Sequence, residues 1–260
     1  ALEYHALTKP KEYVDNPPNA DISRKQEQRV EFSIKSGNPE KQRSGCAIVG
    51  IFDRRKLSLA AELLDNASGG FITDVLRRGD MDGKSGSSLL LHAVPGTLCD
   101  RVLLVGLGKE KEFREKDYRG AIRTAIKALN NTPCQDASFF LSEIPLRKRN
   151  ITWRIRNAVC TAMEAAYRFE KFKRQDDEAK PSLRKITLMV ERRSELAQAE
   201  LGLQQGQAIG TGMTLTRDLG NLPPNICHPA YLAEQARALA EELHLECDIL
   251  ERSDMEALGM

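Results

Sequence analysis

The 260-residue sequence lacks an excess of one charge, a long apolar run, closely paired cysteines and more than four histidines. Each shortage excludes something. With 39 basic and 37 acidic residues the net charge is +2, so no whole-chain field draws the protein to nucleic acid or membrane, and such binding would need a local patch. The longest apolar stretches, such as Cys46 to Phe52 and Val102 to Val105, are of strand length. They fall far short of the ~20 residues that span a bilayer, so no transmembrane helix is expected. The opening stretch from Ala1 has neither the apolar core nor the small-residue cleavage site of a secretory signal, which reads as a cytoplasmic protein. Six cysteines (Cys46, Cys99, Cys134, Cys160, Cys227 and Cys247) stand without a CxxC pair. A disulfide framework and a cysteine-built zinc site are therefore not indicated, and the thiols are expected to be reduced apolar fillers.

Motifs for phosphate binding are incomplete. Val102 to Lys109 (VLLVGLGK) runs a strand into glycines, but the dinucleotide fingerprint needs a third glycine where Lys111 stands, and the P-loop spacing is absent. A structural turn at a strand end accounts for Gly106 and Gly108. His228 and Cys227 are adjacent on an extended segment, where neighbouring side chains point apart, so helix-start packing is expected rather than a metal site. His5, His92 and His244 have no carboxylate or thiol at ligand spacing. Asp80, Asp82 and Lys84 crowd around Gly79 and Gly83, as a small polar site or simply as a turn. Arg147, Lys148, Arg149, Arg154 and Arg156, continuing through Arg168, Lys171, Lys173 and Arg174, form the one cationic stripe that duplex phosphates could use. A solvated helix face broken by Glu164 and Glu170 is the plainer account.

The apolar pattern alternates between strands and helices. Residues 1–28 are polar and proline-punctuated and predict a flexible tail. Val30, Phe32 and Ile34 alternate as in a half-buried strand, whereas Cys46 to Phe52 is continuous, as in a strand covered on both faces. Helices are expected over Leu57 to Leu64 and Phe71 to Leu76, parted by Ser68-Gly69-Gly70. Strands Ser88 to Val94 and Arg101 to Gly106 flank a Pro95-Gly96 turn. Then come a helix Asp117 to Leu129, a strand Ala137 to Leu141, a long helix Asn150 to Lys173, a charged loop Gln175 to Ser182, and a strand Ile186 to Val190. This is an α/β domain with a largely parallel or mixed sheet, residues 29–192. A linking helix (193–219) precedes a second α/β domain begun by residues 220–260, with a helix from His228 to Leu243 and a strand Leu245 to Leu250. The break between the helices, Asn221 to Asn225, is expected to be a stiff extended segment because of Pro223 and Pro224. Asp218 and Asn221 are expected to bind free amides there.

The stretch Arg217 to Ala236 (RDLGNLPPNICHPAYLAEQA) resembles the segment that opens the catalytic domain of the leucyl aminopeptidases, the dinuclear-metal cytosol aminopeptidases that include the bacterial PepA type. Leu63-Leu64-Asp65, Ala67-Ser68-Gly69-Gly70, Arg78-Gly79-Asp80, Gly83-Lys84 and Arg101 to Lys109 resemble that family's amino-terminal domain, in order. The resemblance runs from about Val30 to Met260. It implies a mixed-sheet, macro-like amino-terminal domain, an enzyme that removes amino-terminal residues from peptides with two divalent ions (Mn²⁺ or Zn²⁺), and a homo-hexamer. In that family the metal ligands and the catalytic lysine and arginine lie downstream of the segment matching Leu258-Gly259-Met260. The resemblance thus places no catalytic or metal residue within residues 1–260, and an incomplete second domain would leave apolar surface exposed. Some bacterial relatives also bind DNA. The alternative is a non-catalytic assembly or DNA-binding module that uses the basic stripe at 147–174.

Overall fold

In the computed structural model, which describes residues 30–169, 172 and 183–260, a seven-stranded mixed sheet lies between two helical layers. The strands are β1 (Glu31–Ser36), β2 (Cys46–Phe52), β3 (Lys56–Leu57), β4 (Ser88–His92), β5 (Arg101–Gly108), β6 (Asp136–Phe139) and β7 (Lys185–Val190). Their order is β1-β7-β6-β2-β5-β4, with β3 beside the end of β2. Pairing is parallel except for β4 against β5 and β3 against β2.

The continuous apolar run of β2 follows from its central place. Cys46, Ile48 and Phe52 face one core, while Ala47, Val49 and Ile51 face the other, and all seven residues are buried. Helices α1 (Leu59–Ala67) and α2 (Phe71–Arg78) cover the second face. Ser58 caps α1 by accepting from the Ala61 amide, and Leu57, expected in that helix, lies with Lys56 in β3 instead. The carboxylate of buried Asp65 accepts from the amide (2.8 Å) and hydroxyl (2.5 Å) of Thr73, tying α1 to α2. Helices α3 (Glu115–Asn130), α4 (Ile151–Ala166) and α5 (Leu196–Asn221) cover the first face. Tyr118 is fully buried among them, its hydroxyl donating to the Arg154 carbonyl at 3.1 Å.

Beyond α5 lie α6 (Pro229–Leu243) and α7 (Arg252–Ala257). His228 caps α6, its Nδ1 accepting from the Tyr231 amide at 3.3 Å, with Pro229 at the first helical position. Exposed apolar side chains collect here, among them Leu243 (55 %), Leu245 (58 %) and Leu258 (62 %).

Several expectations are corrected. Helix α4 ends at Ala166, short of Lys173, because Tyr167 turns extended (φ −60°, ψ 131°) and sends its hydroxyl to Asp218 and Asn221. Both side chains thus hold the Tyr167 hydroxyl. After Asn221 the chain is extended at Leu222. Pro223 then opens a turn, its carbonyl accepting from the amides of Ile226 and Cys227, both at 2.9 Å. Strand β6 stops at Phe139, followed by a 3-10 turn in which the Ser142 hydroxyl donates to the Met189 carbonyl. Leu245 to Leu250 forms no strand, since no neighbouring strand is there to take its backbone groups. The expected tail (1–28) and the whole loop 175–182 lie outside the described residues, as do Glu170, Lys171, Lys173 and Arg174.

Candidate functional site

On the outer face of α3, Glu115, Arg119 and Arg123 recur every four residues and so stand in line. They form one wall of a groove of about 430 Å³ that crosses α4 at Trp153 and ends on Ile209 and Met213 of α5. A second hollow of about 510 Å³ adjoins it past Trp153 and Arg156. Two guanidinium groups approach the ring of Trp153, the only tryptophan, Arg149 at 5.1 Å and Arg119 at 5.9 Å from the ring centre. Both arginines also reach Glu115, at 2.5 and 3.4 Å, and Arg123 pairs with Glu164 at 2.9 Å.

The groove offers polar surface but no activated nucleophile. Its thiol, Cys160, donates to the Gly206 carbonyl at 3.4 Å, and burial pushes that thiol above its ordinary pKa.

The five cations of the sequence stripe do not make one row. Arg149 is spent on Glu115 and Trp153. Arg154 turns inward and donates to the carbonyls of Glu143 and Ile144 at 3.0 and 3.1 Å. Arg156 reaches Gln205 Oε1 at 3.3 Å, and Arg147 and Lys148 are exposed.

The carboxyl ends of parallel strands are where α/β sheets usually seat ligands. Here the protein's own chain fills that place beside β2 and β5. Gly108 donates to Gly83 (2.9 Å), Gly106 to Ser87 (2.8 Å) and Arg55 to Asp82 (3.2 Å). Asp82 accepts from the Lys84 amide and ammonium, and that neighbour holds its carboxyl below the usual carboxylate range. The glycines of VLLVGLGK thus serve a packed loop.

Next along the same edge, Glu143 follows β6 and faces Glu191 and Glu195. Burial, with the repulsion of Glu191, pushes its carboxyl up to about 7, against the pull of Arg154. The folded chain therefore keeps a proton that the unfolded chain releases near 4.5. Stability is highest below that pH, falls as pH rises toward 7, and carries the whole cost above it. Glu143→Gln is expected to stabilise the protein by about 2 kcal/mol at pH 8 and to leave it unchanged at pH 4. Urea unfolding at the two pH values measures this, and equal gains at both would refute it.

Among the described residues no three His, Cys, Asp or Glu side chains converge to hold a metal ion. No helix among them is long and apolar enough to cross a membrane. The feature that sequence reasoning missed is the spacing of Gly202, Gly206 and Gly210, which lets α5 lie directly on α4. Its signal was a glycine every fourth residue.

Comparison with known proteins places this architecture. Residues 48–176 match the cytosol aminopeptidase family, N-terminal domain. The chain is 63% identical over 231 residues to a probable cytosol aminopeptidase of Dechloromonas aromatica, covering 89% of this chain and 46% of that protein. It is 54% identical over 231 residues to a probable cytosol aminopeptidase of Chromobacterium violaceum, covering 89% and 44%. This chain therefore spans about half the length of the curated relatives it matches. Among solved structures, a tomato leucine aminopeptidase superposes with TM-score 0.72 at 20% identity, over 89% of this chain and 46% of that one. The bottromycin maturation enzyme BotP superposes with TM-score 0.63 at 19% identity, over 83% and 41%. The comparisons add no support for DNA binding by the basic stripe. The sheet, its two helical layers and these relatives agree, and the chain belongs to the cytosol aminopeptidase family, whose amino-terminal domain it carries.

Proposed function

We propose that this chain forms the amino-terminal scaffold of a metallo-aminopeptidase that removes amino-terminal residues from peptides. The enzyme would work in the cytoplasm as a homo-hexamer, with two divalent ions, manganese or zinc. The observation that carries this reading is the 63% identity, held over 231 residues, to a probable cytosol aminopeptidase. The described residues do not fit a two-ion site, since no set of three donors converges among them. Their contribution is a rigid platform: two buried cores and a long helix, α5, leading to the Pro223 turn from which α6 begins. Bound ions would polarise the scissile carbonyl and activate water, and their ligands would come from residues other than those described.

The test compares residues 1–260 with the same chain joined in frame to the part of the Dechloromonas aromatica relative that follows the matched region. Leucine anilide hydrolysis with added Mn²⁺ is expected only from the joined protein, and a chelator should abolish it. Turnover by residues 1–260 alone would overturn the scaffold reading. A folded joined protein inactive on every aminoacyl anilide would overturn the aminopeptidase reading.

A further inference from the structure

We propose that the trough along α4 is a docking surface for an acidic, amphipathic helix of a partner protein. Helices α3 and α4 run side by side in one direction, since Glu115 pairs with Arg149 near their starts and Arg123 with Glu164 near their ends. Helix α5 runs the same way on the other side of α4, with Thr152 reaching the Gln198 carbonyl and Tyr167 reaching Asp218. The two adjoining hollows, of about 430 and 510 Å³, thus lie in line, with α4 as floor and α3 and α5 as walls. On the α5 wall, Leu201, Gln205, Ile209 and Met213 recur every four residues and all line the hollows. They span roughly 18 Å at 1.5 Å per residue, the length of about three helical turns.

That wall calls for an apolar stripe on the partner. Leu201, Ile209 and Met213 are 49, 47 and 37% exposed. One exposed apolar side chain is ordinary on a protein surface, but three in line that share the hollows with Trp153 make a patch worth covering. A helix with apolar residues every three or four positions presents a matching stripe.

Charge sets the partner's sign. Five cations and two carboxylates border the hollows, a local surplus of three positive charges where the whole chain has a surplus of two. Both carboxylates are already taken, Glu115 by Arg119 and Arg149 and Glu164 by Arg123. The second hollow is bordered by Lys148, Arg149 and Arg156 and by no carboxylate, and Arg156 is held by the neutral Gln205 side chain at 3.3 Å. Glutamates flanking the partner's apolar stripe would meet this surplus, with Trp153 and the arginines as anchors of the kind that dominate interfaces. A nucleic-acid duplex would meet the cations but leave the apolar wall uncovered, and a flat membrane would not enter a trough.

Trp153 is the only tryptophan, so its emission reports on the trough directly. The folded 260-residue chain is titrated with a synthetic helical peptide of roughly four turns, leucine along one face and glutamate on its flanks. A saturable shift of the emission is expected, weakening as salt is raised. Arg156→Glu and Ile209→Ser, at partly or fully exposed side chains, should each weaken binding by about tenfold. An unmoved emission would overturn the proposal, as would equal affinity for the same peptide with lysine in place of glutamate, or unchanged affinity in both variants. Tighter binding of a DNA duplex than of the peptide would give the trough to nucleic acid instead. Self-association of the chain that Ile209→Ser abolishes would give it to a second copy, and either result overturns the proposal. No turnover is read, so the outcome is separate from that of the aminopeptidase reading.

Discussion

Gly206→Leu is expected to lower stability by about 3 kcal/mol, a fall of about 6–12 °C in Tm for a domain of this size. A β-carbon at position 206 would lie 2.7 Å from Val159 Cβ and 2.9 Å from the Arg156 carbonyl. Neither neighbour is the free end of a flexible chain. Val159 is fully buried, and the Arg156 carbonyl belongs to the backbone of α4. Gly202 and Gly210 repeat the arrangement, their β-carbons falling 2.6 Å from the Thr152 carbonyl and near the sulfur of Met163. The leucine must therefore push α5 away from α4, exposing Ile155 and Val159 and parting Thr152 Oγ1 from the Gln198 carbonyl, now 2.9 Å away. Gly212→Ala is the control. It stands in the same helix with nothing near its β-position, so it should gain up to about 1 kcal/mol from helix propensity. Thermal melts followed by circular dichroism measure both. A Gly206→Leu variant that melts with the parent would refute the account.

What could be read from the sequence was what local periodicity decides. The unbroken run Cys46 to Phe52 announced a strand buried on both faces because β2 feeds two cores at once. Helix starts were equally local, as with Asn150, whose side chain accepts from the Trp153 amide at 2.9 Å. The end of α4 was not local. Met163, Ala166 and Phe169 keep helical spacing, yet Tyr167 leaves the helix for Asp218 and Asn221, 51 and 54 residues away in the chain. Glu143 reads as an ordinary surface acid, and only burial next to Glu191 makes it hold its proton. For the groove, the sequence showed a cationic stripe but not that Arg154 would turn inward or Arg149 would stack on Trp153. Those choices were made by carbonyls and a ring presented by tertiary packing.

Gly106→Val is expected to be the most damaging single substitution of the sheet, costing 3 kcal/mol or more where overpacking ordinarily costs about 1–3. A β-carbon at Gly106 would lie 2.0 Å from the Lys84 carbonyl and 2.3 Å from Ser87 Oγ. The carbonyl cannot retreat. Its loop is pinned on both sides, by the Gly108 amide to the Gly83 carbonyl and by the Gly106 amide to the Ser87 carbonyl. Gly83 is itself pressed so close to Phe52 that its own β-carbon would fall 2.0 Å from that residue's carbonyl. Valine must therefore lift the loop from the ends of β2 and β5, breaking those bonds and opening the strand ends to water. Urea unfolding reads this as a lower midpoint, and the same sample separates the two accounts of the glycines. If they cradle a phosphate, ADP or NAD should raise the melting temperature of the parent but not of the variant. If they seat a loop, neither nucleotide shifts the parent, and the variant is destabilised without any ligand, because the space a phosphate would need is already filled by Gly83 to Ser87.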